Sequence, residues 1–135
     1  MYITIQGRGI SAGIGSGDVL VSSEPISFLS GVDPETGIVI ESGHPLEGQS
    51  IAGKVLAFPY GKGSTVGSYV IYALRRNNVA PCAIINTEAE PIIAVGAIIA
   101  EIPMVDRPET AINDMKNGAS ASVDGSSGRI TLTDQ

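Results

Sequence analysis

At 135 residues, 43% of them hydrophobic and only 16% charged, the chain has the size of a single domain spanning residues 1-135 and is too apolar for a disordered segment. Its net charge of -6 argues against nucleic acid, because a DNA or RNA binder needs a basic footprint to displace counterions. One cysteine, Cys82, and one histidine, His44, exclude an internal disulfide, the usual multi-histidine zinc site and an iron-sulfur cluster held by this chain alone.

Met1 to Ile5 lack the basic-then-apolar pattern of an export signal, and no stretch approaches the roughly 18 uninterrupted apolar residues of a membrane span. A cytoplasmic protein without membrane contact is expected. With two Phe, four Tyr, no Trp, 17 Gly and 8 Pro, the core falls to Ile, Val, Leu and Ala, joined by tight turns. That predicts an α/β chain with a β-rich core and short flanking helices.

Tyr2 to Ile5 alternate as a first strand, which Gly7-Arg8-Gly9 ends. Ser11 to Asp18 carries glycine at 13, 15 and 17 and reads as a loop and bulge feeding a strand at Val19-Leu20-Val21. Ser22 to Pro25 turns the chain, and Ile26 to Leu29 is short and extended or irregular. Asp33-Pro34-Glu35-Thr36-Gly37 has the residues of a surface turn. Gly37 to Ile40 is the next predicted strand, and Gly43 to Gly48 a loop.

Lys54 to Leu74 is the stretch around which the chain is organised. The apolar run Val55 to Phe58, closed by Pro59, predicts a buried strand. Val66, Val70, Ile71 and Leu74 share one helical stripe, and Arg75-Arg76-Asn77-Asn78 suits a helix end. Ala80 to Asn86 is a second buried strand, so residues 54-86 form a strand-helix-strand unit. Thr87 to Pro91 resembles a helix start with acids at the positive end. The almost wholly apolar helix Ile92 to Ala100 must pack on the sheet, on a partner, or on both. A strand at Pro103 to Val105, a helix over Glu109 to Lys116 and a hairpin of Ala119 to Val123 with Arg129 to Leu132 complete the chain.

Between strand and helix lie Gly61, Lys62, Gly63, Ser64 and Thr65, where helix N-H groups are unpaired and an anion is welcome. The nucleotide P-loop does not fit, because Lys62 is followed by Gly63 rather than Ser or Thr. Ser64 or Thr65 can serve as an N-cap, the commoner role of such hydroxyls. Parallel sheets hold ligands beyond their carboxyl ends, which gathers Gly61 to Ser64, Asn86-Thr87-Glu88 and Asp106-Arg107 at one edge. Arg8 is a further candidate anion ligand, although a solvated arginine is commoner. His44, the sole histidine, invites a catalytic role, although a lone loop histidine is more often structural.

Taken together, Glu24 to Phe28, Gly31 to Gly37, His44-Pro45-Leu46, Gly53 to Leu56, Gly61 to Ser64 with Gly67-Ser68, and Ile102 to Asp106 resemble the small subunit of the aconitase X family, especially its archaeal phosphomevalonate dehydratase branch. The resemblance spans nearly the whole chain. It implies the swivelling β/β/α domain of aconitase, with Ser64 as proton acceptor. The reaction it implies is dehydration of (R)-5-phosphomevalonate to trans-anhydromevalonate 5-phosphate in an archaeal mevalonate pathway. It also implies a heterodimer whose large catalytic subunit carries the iron-sulfur cluster, so that this chain binds no cofactor or metal itself. Three alternatives stand beside this reading: a cis-3-hydroxy-L-proline dehydratase subunit, a phosphohistidine-type carrier domain, and an inert module whose glycine loop captures an anion.

Overall fold

The computed structural model describes residues 2-63 and 65-133. Its main sheet runs in the order β1-β10-β9-β3-β5-β7-β8-β2, where β1 is Tyr2–Gln6, β2 Arg8–Ser11, β3 Ile14–Val21, β5 Val55–Phe58, β7 Ala83–Asn86, β8 Met104–Asp106, β9 Ser120–Asp124 and β10 Arg129–Thr133. A second, two-stranded sheet pairs β4 (Ile26–Ser27) with β6 (Gly61–Lys62) in parallel. The helices are α1 (Phe28–Gly31), α2 (Gly67–Arg76) and α3 (Pro91–Ile99).

The longest strand, β3, joins two kinds of pairing. Ile14 to Asp18 pair antiparallel with β9, whereas Val19 to Val21 pair parallel with β5. An antiparallel half (β1, β10, β9) therefore continues into a parallel half (β5, β7, β8), and strand alternation separates two cores. Val55, Ala57, Ala83, Ile85 and Val105 pack with Ile5, Val123 and Ile130 between the two halves. Leu56, Phe58, Ile84 and Met104 turn the other way, against Ile71 and Leu74 of α2 and Ile93 and Ala97 of α3. The layers are β/β/α, and the strands buried on both faces read as continuous apolar runs for that reason.

The strand-helix-strand unit forms at 54-86, with β5 and β7 adjacent and parallel. Arg75 and Arg76 occupy the last turn of α2, and Asn78 at φ 59° reverses the chain. At α3, the Glu90 carboxylate accepts from the Ile92 amide at 3.0 Å, and Pro91 opens the helix. Ile93, Gly96 and Ala97 face inward. Val95, Ile98 and Ile99 stay about half exposed in this single chain.

Four expectations from sequence are corrected. Gly7 alone interrupts the first strand, since β2 resumes at Arg8. The glycines of 11-18 lie largely within β3 rather than in a loop. A Cβ at Gly15 would collide with the Cys82 carbonyl, so glycine there admits close backbone approach. Gly37 to Ile40 is no strand: Val39 and Ile38 make only isolated bridges, to Val32 and Ser50. The helix expected over Glu109 to Lys116 reduces to one 3-10 turn, Ile112–Asp114. Burying Ile112 and Met115, three residues apart, needs only that turn, because i and i+3 eclipse in a 3-10 helix.

Gly15→Ala is expected to destabilise the chain by about 1-3 kcal/mol, the range for overpacking, because its obstacle is backbone and cannot rotate aside. Thermal melting of the variant against wild type checks this.

Candidate active site

The ends of β5, β7 and β8 lie side by side, Phe58 beside Asn86 and Asn86 beside Asp106. The loops leaving them are tied together. The Pro59 carbonyl accepts from the Thr87 amide at 3.0 Å and from the Glu88 amide at 3.3 Å, and the Thr87 carbonyl accepts from the Arg107 amide at 3.1 Å.

Beyond Pro59 the chain is pinned by β6 pairing with β4. Gly61 sits against Ile93, whose side chain would meet any Cβ there. Gly63 has φ +99°, and a Cβ would lie 2.7 Å from the Ser27 hydroxyl. Only glycine takes that path without strain. Lys62, Gly63, Thr65 and Val66 are exposed, so the loop offers a surface held from behind. Ser64, the sequence candidate for the base, lies outside the described residues. The helix α2 begins at Gly67 with Val66 at its N-cap position, one residue beyond Thr65. The Thr65 carbonyl accepts from the Ser68 amide and hydroxyl, at 3.3 and 3.0 Å.

Lys62 and His44 meet across one surface cavity of about 280 Å³ that Glu24 and Glu41 also line. The Lys62 ammonium lies 3.4 Å from the Glu41 carboxylate, both partly exposed. Such a pair is weak, so the ammonium can turn to an incoming anion. His44 is buried and fully engaged. Its Nδ1 accepts from the Leu46 amide at 3.0 Å, and Nε2 lies 3.1 Å from the Pro25 carbonyl. Because a carbonyl only accepts, Nε2 carries the proton, and His44 braces its loop against the turn before β4. A phosphohistidine carrier needs a free ring lone pair, and Nδ1 has given its own to Leu46.

Arg8 lies apart, on β2 at the far edge of the parallel half. Its guanidinium grips Asp106 through two bonds, 2.8 and 2.7 Å, while the Ala89 amide donates to the same carboxylate at 2.8 Å. Burial pushes the Asp106 carboxyl up, but the hydrogen bonds from Arg8 and Ala89, with the charges of Arg8 and Arg107, more than offset it and hold it below the usual range. Arg107, at φ 49°, pairs with Glu88 at 2.9 and 2.8 Å. That hydrogen bond chiefly holds the Glu88 carboxyl low.

A group whose folded pKa is depressed contributes stability that is present above its unfolded pKa, about 3.9 for Asp, and is lost as pH falls through the lower folded value. Wild type should therefore lose the Asp106 contribution only below about pH 4. Arg8→Ala should lower the melting temperature at neutral pH and shrink that acid-dependent loss, which melting curves between pH 2 and 7 would read.

Sequence reasoning brought Gly61, Lys62, Gly63 and Thr65 to one loop; the meeting of His44 with Lys62 across the cavity is seen only in the structure. That reasoning missed Glu41, which no motif marks, the place of Ser27 behind the loop, and the pairing of Arg8 with Asp106 across 98 positions. Among the described residues, no cluster of three or more His, Cys, Asp or Glu is placed to hold a metal ion, and no helix is long and apolar enough to cross a membrane.

Comparison with known proteins places this geometry. The chain is 58% identical over 131 residues to the phosphomevalonate dehydratase small subunit of Methanosarcina acetivorans, covering 96% of this chain and 91% of that one. The crystal structure of Thermococcus kodakaraensis aconitase X in its holo-form superposes with a TM-score of 0.93 at 55% identity, covering 98% and 99% of the two chains. A UPF0107 protein solved by solution NMR gives 0.89 at 49% identity, covering 98% and 100%. The model of the aconitase X swivel domain matches residues 4–132, nearly everything from the first strand to the last, and the chain belongs to that family.

Proposed function

We propose that this chain is the small subunit of a hydro-lyase that dehydrates (R)-5-phosphomevalonate to trans-anhydromevalonate 5-phosphate, acting as one swivelling domain in a cytoplasmic heterodimer with a large subunit. The observation that carries the reading is the glycine loop, in which Gly61 and Gly63 are backed by Ile93 and Ser27 while Lys62, Gly63 and Thr65 are exposed, in a chain 52–59% identical to curated phosphomevalonate dehydratase small subunits.

In the proposed mechanism Ser64 takes the proton from the carbon next to the substrate carboxylate. The C-H electron pair becomes the new C=C bond, and the β-hydroxyl departs with a proton as water. A serine acts as base only where its alkoxide is stabilised. The Gly-rich amides, the start of α2 and the Lys62 ammonium are the groups of this chain that supply positive potential there. Phosphate and carboxylate on one small molecule suit the weakly held Lys62. The iron-sulfur cluster implied by the family does not fit this chain's donors, since one thiol, Cys82 at the opposite end of β7, cannot replace several. We assign it to the large subunit.

The test is turnover by the co-purified, cluster-loaded pair, with 5-phosphomevalonate and cis-3-hydroxy-L-proline offered in parallel. Dehydration of the phosphorylated acid alone supports the reading. Dehydration of the proline, or of neither, overturns it.

A further inference from the structure

Asn86 is fully buried at the end of a strand that otherwise reads Ala-Ile-Ile. Its Nδ2 donates to the Phe58 carbonyl at 3.0 Å and to the Ile85 carbonyl at 3.2 Å. Its Oδ1 is buried and accepts from none of the described residues. Turning the amide over would set that oxygen against two carbonyls, so the orientation is dictated by the donors.

A buried acceptor without a donor is costly, and an apolar residue of the same shape would avoid it. Asn86 is therefore a poor choice for stability alone. The contact it does make is at a telling place, because Phe58 carries the last carbonyl of β5, where the chain departs for Gly61 to Thr65. The next two amides, of Thr87 and Glu88, hold the Pro59 carbonyl. We infer that Asn86 is a positioning residue of the dehydratase site, whose amide sets the exit of β5 and so the place from which the serine loop reaches the substrate; this rests on the function proposed above.

The experiment compares wild type, Asn86→Leu and Asn86→Asp, each assembled with the large subunit. Asn86→Leu should lower kcat about 100-fold, the effect of a displacement near 1 Å, with KM within about threefold and the melting temperature within about 5 °C. Amide exchange at Gly61 to Gly63 should quicken. A kcat within about threefold of wild type with unchanged exchange would overturn the inference.

If Asn86→Leu fails to assemble, Asn86→Asp decides. A protonated carboxyl can donate to Phe58 and an ionised one cannot, so its kcat relative to wild type should rise as pH falls. A ratio independent of pH overturns the inference. If the wild-type pair turns over no hydroxy acid, the functional reading has failed, and exchange at Gly61 to Gly63 alone decides: faster in Asn86→Leu supports positioning, unchanged refutes it.

Discussion

Ser64→Ala, introduced into the assembled two-subunit enzyme, is expected to lower kcat about 1,000-fold, within the range for loss of a general base, while KM and the melting temperature stay near wild type. The split follows from the role proposed. Binding of the ground state runs through charged groups on the substrate, whereas the serine acts only as the C-H bond breaks, so its loss falls on the transition state. A capping hydroxyl would behave in the opposite way. Its removal costs about 0.5-2 kcal/mol of stability and spares turnover in molecules that remain folded. Measuring kcat and melting temperature on the same preparation separates the two roles.

The second large effect is complementation. The purified chain by itself should give no dehydration and retain no stoichiometric iron, because it has one thiol and one imidazole, and that imidazole is committed at both nitrogens. Turnover should appear on mixing with the cluster-loaded large subunit and saturate at one chain of each kind. The half-exposed Val95, Ile98 and Ile99 of α3 are no obstacle to this order of events, since the isolated chain already has a closed core on the other face of that helix. Catalysis by the chain alone would contradict the division of labour between the subunits.

Much of the fold could be read from local signals. Val55 to Phe58 and Ala83 to Ile85 are apolar on both faces because they end up between two layers, and Pro59 and Asn77-Asn78 mark the turns. What escaped were features set by distant partners. Gly15 reads as loop in sequence, yet is a strand residue whose missing side chain is explained only by the Cys82 carbonyl behind it. Ile38-Val39-Ile40 has strand composition but found single bridges instead of a ladder, because Gly37 at φ 75° turns the chain on one side and the Gly43 to Gly48 loop follows on the other. Within the site, the glycine loop was legible because its residue types are unusual between a strand and a helix. His44 invited a catalytic role by its rarity although a structural one is commoner for a lone loop histidine, and its contacts to Pro25 and Leu46 make it a brace. Arg8 read as a solvated arginine or an anion ligand, and nothing local in the sequence pointed to its pairing with Asp106.

The central claim is that this chain brings the proton acceptor to a site completed by another subunit. It is tested most directly with 5-phosphomevalonate carrying deuterium at the carbon next to the carboxylate, incubated with the reconstituted pair in ordinary water. The wild-type pair should form the anhydro product and release the deuterium at matching rates, and the Ser64→Ala pair, equally folded and assembled, should do neither. Deuterium release and product formation by the Ser64→Ala pair at wild-type rates would contradict the account and place the base elsewhere.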